Sequence, residues 1–527
     1  MEETERNLRE KIEQEAKNTL KKNMWEGYAN DILTGLQKNP GVQPDRPIWE
    51  LVQNARDVAY ENKKTKIVFI RKQDHFVFQH NGQPFTRTTL QSLILQTSSK
   101  VREDIIQVGQ YGTGFLTTHK FGLDFRLSGS LSLLGGLKFY NFSGRDFIIK
   151  RSAQDKVKLS DDLDATIAKT QQWGLDLNFL EDNPRRETIF EYQHNFNAER
   201  ENTKIAIKEA PKLVPYVLAL NKHIESISFI DEVEGAKEES FTFQNEEIYD
   251  NLENLRVYET TILHSQSGQK DKIISLFLLK SLRCLEEKTG ESKFTIILPF
   301  KKISEGLKVF NFDISIPRLY LYLPRLGSKD WGGNFLFHSP SFTCDQDSRD
   351  SIMLRFNPQA EVHHDQINKD IIREASDALK KYLTYKYLNL TDVRFLCPIN
   401  FVKGKSDNET NQYYQELQKE WVSFFECLNL VEYEDGKTIP VKSIRVLSNE
   451  LYLACEQDVS LLDAIYNLLS KAVHLILPKK EELLFWSKVI NEWYVDNEAE
   501  NLHIISIDSL VSLIQETTIT ESDLDWL

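Results

Sequence analysis

The stretch PIWELVQNARDVAYENKK, residues 47–64, decides the fold. Pro47 suits the opening turn of a helix, Asp45 stands where a cap belongs, and no glycine interrupts the run, so the spacing predicts a helix over 47–64. Leu51, Ala55 and Val58 form an apolar stripe that belongs against a core. Beside it Glu50, Asn54 and Asp57 stand at i, i+4 and i+7, which aligns a carboxylate, an amide and a second carboxylate along its border. A solvated helix could carry three such residues with no further purpose. A half-buried helix would present them to a ligand.

The flanking sequence favours the second reading. TKIVFI (65–70) and HFVFQH (75–80) alternate as two strands of a hairpin around RKQD, and HNGQPFT (80–86) is a turn with Gly82 at its centre. TSSK (97–100) follows, then VGQYGTGFLTTHKFG (108–122), in which Gly109, Gly112 and Gly114 make a GxxGxG loop entering the helix-like FLTTHKF. Glycines let successive N–H groups approach phosphate oxygens, and a helix N-terminus adds its dipole. By itself such a loop could also be a tight turn before a helix.

In this order the pieces resemble the Bergerat-fold or GHKL ATPases, the superfamily of gyrase B, heat shock protein 90, histidine kinases and mismatch-repair ATPases. ELVQNARDVA (50–59) is similar to the superfamily's N-box, GQYGTGF (109–115) to the chaperone glycine box and TSSK to its short lid. The spelling is most similar to sacsin-type, heat-shock-protein-90-like modules. The resemblance covers residues 45 to about 195. It implies ATP and Mg2+ as cofactors, with Glu50 as general base toward the attacking water. It also implies Asn54 as the metal ligand and Asp57 holding water or the outer coordination sphere. Gly109, Gln110, Tyr111, Gly112, Thr113, Gly114 and Phe115 would cradle the phosphates, with Ser99 and Lys100 in the lid. Thr188, in ETIFEY, would support the base or its water, although Glu187 replaces the usual glycine. Arg349, with Lys329 as rival, would supply the basic group to the γ-phosphate.

One departure is chemical. The family's second box reads DxGxG, and its aspartate accepts a hydrogen bond from the adenine amino group. Here the stretch is HNGQPF, with His80 in the aspartate's register. A neutral imidazole nitrogen or the Asn81 side-chain oxygen could accept in its place, while Gly82 keeps the turn.

The fold class expected is α+β. Residues 1–44 are a helical extension and 45–202 a Bergerat-type α/β sandwich, a mixed sheet with helices on one face. Residues 203–357 form a second, transducer-like α/β domain, and 358–527 a mainly helical region. In the second segment KIISLFLL, KFTIILPF, VFNFDISI and RLYLYLP read as strands and GSKDWGGNFLFHSPSF as a long loop. INKDIIREASDALKKYLTYKYL and NQYYQELQKEWVSFFECL lead the helical part.

The chain has 527 residues and a net charge of −14, which disfavours a nucleic-acid or anionic-lipid surface. A DNA-processing GHKL role is weakened on the same ground and by the lack of a basic stripe interleaved with aromatics. A histidine kinase fits poorly, since no histidine precedes the N-box. Five scattered cysteines without a CxxC pair read as reduced thiols, the charged N-terminus is neither a signal nor a transit peptide, and no apolar run could span a membrane. A cytoplasmic location follows as the expectation. The resemblance implies a slowly hydrolysing conformational switch acting with a homodimeric or other protein partner. Relatives of that general type work in multi-protein systems, including defence against phage. The departure at HNGQPF leaves a nucleotide-holding scaffold without turnover as the alternative.

Overall fold

The computed structural model describes residues 2–37, 41–97, 114–268, 272–285, 292–304, 306–345, 350–356, 362–401, 408–434, 437–472, 475–494 and 504–516. Ser99, Lys100, Gly109, Gln110, Tyr111, Gly112, Thr113 and Arg349 lie outside these residues. The chain divides into two compact units. The first comprises Met1–Glu246 and Thr260–Phe277, the second Glu247–Glu259 and Leu278–Leu527. The fold class is α+β, on mixed sheet.

Unit 1 contains α1 (Glu2–Gln37), α2 (Arg46–Asp57), β1 (Thr65–Arg71), β2 (His75–His80), α3 (Arg87–Leu95), β3 (Phe125–Leu133), β4 (Lys138–Phe142), β5 (Ile148–Ile149), α4 (Lys156–Gln172), β6 (Leu180–Glu181), β7 (Thr188–Gln193), α5 (Asn197–Glu209), α6 (Val214–Leu220) and β8 (Ile224–Asp231). Three long strands, β9 (Lys237–Leu252), β10 (Leu255–Ser267) and β11 (Lys272–Leu285), carry residues of both units. The strand order is β8-β1-β2-β7-β3-β4-β6; β1 runs parallel to β8, and the β1–β2, β2–β7, β7–β3 and β3–β4 pairs are antiparallel.

The hairpin expected around RKQD is present, with Phe69 opposite Phe78. Period-2 alternation turns Phe76 and Phe78 to the same face, where they lie opposite Tyr192 and Phe190 of β7. Phe69, Phe76, Phe78, Phe125 and Tyr192 are fully buried, with ring centroids such as Phe69–Phe78 at 5.4 Å and Phe125–Phe190 at 5.8 Å. Burial of each such ring contributes about 1.5–3 kcal/mol, so this aromatic row fixes the register of the sheet. The next pair along the row is polar: His80 lies opposite Thr188, and both are buried.

The charged segment at the start of the chain is one helix. α1 packs against α4, burying Trp25, Ala29 and Ile32 while Leu8, Ile12 and Leu20 stay exposed. Lys21 pairs with Asp164 at 2.8 Å.

In unit 2, β12 (Ser292–Leu298) pairs antiparallel with β11 over Lys280–Leu285. It is followed by β13 (Phe300–Ile303), β14 (Gly306–Val309), β15 (Leu319–Leu321), β16 (Leu323–Pro324) and β17 (Leu336–His338). Two sequence expectations change here. VFNFDISI leaves the strand at Val309, because Asn334 satisfies its backbone instead of a neighbouring strand. Asn334 Nδ2 donates to the Phe310 carbonyl at 2.9 Å, and its Oδ1 accepts the Phe312 N–H at 3.0 Å. The long loop GSKDWGGNFLFHSPSF contains β17, which pairs with β12 and buries Leu336, Phe337 and His338.

Helices then dominate: α7 (His364–Lys386), α8 (Asn408–Glu426), α9 (Asn449–Gln457), α10 (Val459–Ser470), α11 (Lys480–Trp493) and α12 (Ile507–Glu516). The five cysteines are unbridged, and among the described residues no helix is long and apolar enough to cross a membrane.

Candidate functional site

α2 begins as expected, with Pro47 in its first turn, although Asp45 makes no side-chain cap. It ends at Asp57, not Lys64: the Val58 N–H bonds back to the Asn54 and Arg56 carbonyls, and Tyr60 and Lys63 form a turn before β1. Beyond Val58 the sequence AYENKK offers only Tyr60 as a large apolar anchor, so another turn would bury almost nothing. Ile48, Trp49, Leu51, Val52 and Ala55 are buried, whereas Glu50, Asn54 and Asp57 are half-buried along the border. The amphipathic reading of the opening stretch therefore describes the helix up to Asp57.

The residues of the stripe have different surroundings. Arg46 Nη2 lies 3.6 Å from Glu50 one turn further on, and both side chains are largely buried. The Asn54 side chain has no hydrogen-bond partner among the described residues. Asp57 lies beside Arg56 Nη1 at 3.4 Å, with side-chain exposures of only 6% and 5%. That enclosure favours a carboxylate bound to its own helix over one holding mobile water.

The end of the glycine loop meets this stripe. Gly114 precedes a six-residue 3-10 helix, Phe115–Lys120, that packs against α2. A Cβ on Gly114 would overlap the Glu50 carboxylate, at 2.8 Å from Cδ and closer still to Oε2. Only glycine lets this backbone approach the carboxylate so closely. FLTTHKF is thus a short 3-10 helix of two turns and not the α-helix expected, so a macrodipole contribution at this point is slight. Phe115 packs at 6.1 Å from Phe190, which places Gly114 beside the aromatic row.

At the other end of α2, HNGQPFT is strapped to the helix terminus. The Gln83 N–H donates to the Val58 carbonyl at 2.7 Å and Gln83 Nε2 to the Ala59 carbonyl at 2.8 Å. A Cβ on Gly82 would stand 2.8 Å from the Val58 carbonyl oxygen, so this turn too depends on its glycine. The Gly82 N–H donates to His80 Nδ1 at 3.1 Å, and the Lys66 N–H donates to Asn81 Oδ1 at 2.7 Å. Burial lowers the His80 pKa to about 4, so the ring is neutral. With Nδ1 accepting, the proton is on Nε2. His80 therefore offers a donor at its second nitrogen, in contrast to the acceptor expected of it. The Asn81 oxygen already serves the β1 backbone.

Glu50, Gly114 and Phe115 are thus together at one end of α2, and His80, Gly82 and Thr188 at the other. Glu50 to Val58 is eight residues, roughly 12 Å of helix. Lys329 follows a 3-10 turn in unit 2 and is half-buried. Sequence reasoning missed Arg46, although its i, i+4 relation to Glu50 was the available signal. A separate cleft of about 280 Å³ in unit 1, lined by Tyr140, Lys169, Trp173 and Phe179 among others, shares no residue with this site.

Among the described residues no group of three or more His, Cys, Asp or Glu is placed to hold a metal ion. A single amide oxygen suits Mg2+ delivered by a triphosphate, since that ion keeps waters and phosphate oxygens and needs few protein ligands. The half-buried Asn54 amide, with no side-chain partner among the described residues, fits that limited role.

No protein-family model and no curated protein matches the chain. Two solved structures of the ATPase region of Saccharomyces cerevisiae topoisomerase II are similar to it at 12% and 10% identity, the first of them bound to ICRF-187 (dexrazoxane). Each match covers 38% of this chain and 58% of that one, with a TM-score of 0.20, so the chain spans little more than half of those regions. With so small a superposition, the functional reading rests on the residues of unit 1.

Proposed function

We propose that this chain is a GHKL-type nucleoside triphosphatase, a slow conformational switch of the heat-shock-protein-90-like, sacsin-type kind that acts with a second copy or a protein partner. The observation that carries this reading is the seat of Gly114 on the Glu50 carboxylate. It brings the end of a glycine-rich loop to the acid–amide stripe of α2. Either feature alone is ordinary, but their convergence is what hydrolysis of a phosphoanhydride requires.

In this reading Glu50 accepts the proton of the attacking water, with Arg46 orienting its carboxylate from one turn away. As the resemblance implies, the backbone of 109–114 would hold the phosphates. Asn54 Oδ1 would hold Mg2+, which when bound would neutralise charge on the phosphate oxygens. The resemblance assigns Ser99 and Lys100 to the phosphates as well, and the His80–Thr188 pair would meet the base. The test is phosphate release by the full chain with Mg2+ and ATP, beside calorimetry of binding. General-base catalysis contributes about 10²–10⁴-fold, so Glu50→Gln should lose turnover by at least about a hundredfold while still binding nucleotide. Asn54→Ala should lose the Mg2+ dependence of binding. Unchanged turnover in Glu50→Gln would remove Glu50 from the chemistry.

The Arg46–Glu50 ion pair supports a second reading, a scaffold that holds nucleotide without turnover. Tight binding with no phosphate release in either wild type or Glu50→Gln is its signature.

A further inference from the structure

The base-facing end of the proposed pocket carries a hydrogen-bond donor where the resemblance implied an acceptor. His80 is the last residue of β2, on the same face as Phe76 and Phe78 and directly opposite Thr188. Its ring lies 5.4 Å from that of Phe78 and 6.4 Å from that of Phe190, so its orientation is held by the aromatic row. Nδ1 is occupied by the Gly82 N–H, and Gly82 is held in turn against the Val58 carbonyl at the end of α2. The other neutral tautomer would set two donors, the Gly82 N–H and Nδ1–H, against each other, and a ring flip would put Cδ2–H in the place of the acceptor. The tautomer is therefore fixed by the backbone, and Nε2–H has no protein partner among the described residues. A ligand acceptor at this point would satisfy that donor, whereas a ligand donor would leave it unpaired in the complex. Asn81 Oδ1 is held to the β1 backbone by the Lys66 N–H, which occupies one of its two lone pairs.

We infer that unit 1 selects a 6-oxopurine nucleoside triphosphate, guanine or hypoxanthine, over a 6-aminopurine one, with His80 Nε2–H donating to O6. This rests on the nucleotide reading given above. Adenine presents an amino donor at C6, whereas guanine presents a carbonyl acceptor there. Donor against donor loses the bond and strands a buried group, whereas donor against O6 satisfies both. Thr188 can follow either base, because its hydroxyl donates or accepts. His80 is thus a specificity-determining residue and has no part in the hydrolytic step.

Calorimetry of the full wild-type chain with Mg2+ and ATP, GTP or ITP decides the matter. ITP differs from ATP in the C6 group without adding the 2-amino group of guanine. Tighter binding of both ITP and GTP than of ATP, tenfold or more, is the expected result. His80→Asp, which restores an acceptor, should reverse the order in favour of ATP. ATP bound as tightly as ITP by the wild type would overturn the base assignment and leave the nucleotide reading standing. A preference for ITP that survives His80→Asp would overturn the role of His80. No binding of any of the three would overturn both readings together.

Discussion

Gly114 is a residue whose backbone does not ask for glycine. Its φ of −60° and ψ of −43° suit any amino acid. What excludes a side chain is the Glu50 carboxylate, on which a Cβ would land. Gly114→Ala should therefore act as overpacking, costing about 1–3 kcal/mol in denaturant unfolding, and should reduce phosphate release by displacing Glu50. An alanine variant with wild-type stability and wild-type turnover would mean that the loop end does not rest on this carboxylate. At this scale the sequence was informative where periodicity reaches: Glu50 and Asn54 follow from helical spacing, and the burial of Leu51 and Ala55 with them. The polarity of His80 was not legible. It depends on which nitrogen the Gly82 N–H chooses, and that depends on a turn pinned to α2 from twenty-four residues away, at Val58.

Elements are positioned by a few bonds that no spacing rule reveals. The 3-10 turn behind Gly114 is tied to the sheet by a relay, in which the Tyr192 hydroxyl donates to Thr118 Oγ1 at 3.0 Å and Thr118 Oγ1 to the Phe115 carbonyl at 2.7 Å. Tyr192→Phe removes one bond of a fully buried pair and should cost about 1 kcal/mol. Because Phe115 adjoins Gly114, nucleotide affinity should fall with it. A double-mutant cycle with Thr118→Val should return a coupling of about 0.5 kcal/mol or more, and additivity would break the proposed tether. The same lesson explains which elements were legible. The hairpin of β1 and β2 follows from strict alternation and a short turn, both local. The end of α2, the loss of strand after Val309 and the gain of β17 depend on non-local partners: the strap from Gln83, the side chain of Asn334 and the edge of β12. Local propensity cannot supply those.

Across the whole molecule, a net charge of −14 favours solubility near neutral pH, yet the acid response of unit 1 should be set by its sealed histidines. Burial lowers the pKa of His80 to about 4 and, with the charge of Arg151 adding to it, that of His119 to about 3. His194 shifts the same way, chiefly through burial. A histidine in the unfolded chain titrates near 6.5, so between that value and the folded one the unfolded state binds the extra proton. Stability from these rings is therefore complete above about pH 6.5 and is lost as pH falls toward 4. Each fully protonating ring contributes a slope of about 1.4 kcal/mol per pH unit, so His80 and His119 together approach about 3 kcal/mol per unit near pH 5. Against a typical stability of about 5–15 kcal/mol, that removes a substantial fraction of it before most carboxylates protonate. Denaturant unfolding at pH 6.5, 6.0 and 5.5, where carboxylates contribute little, should show falling stability with uptake of more than one proton. His119→Gln should flatten that slope by nearly one proton's worth. A flat wild-type profile over this interval would mean that water reaches these rings, and the fixed tautomer of His80 would lose its physical basis with them.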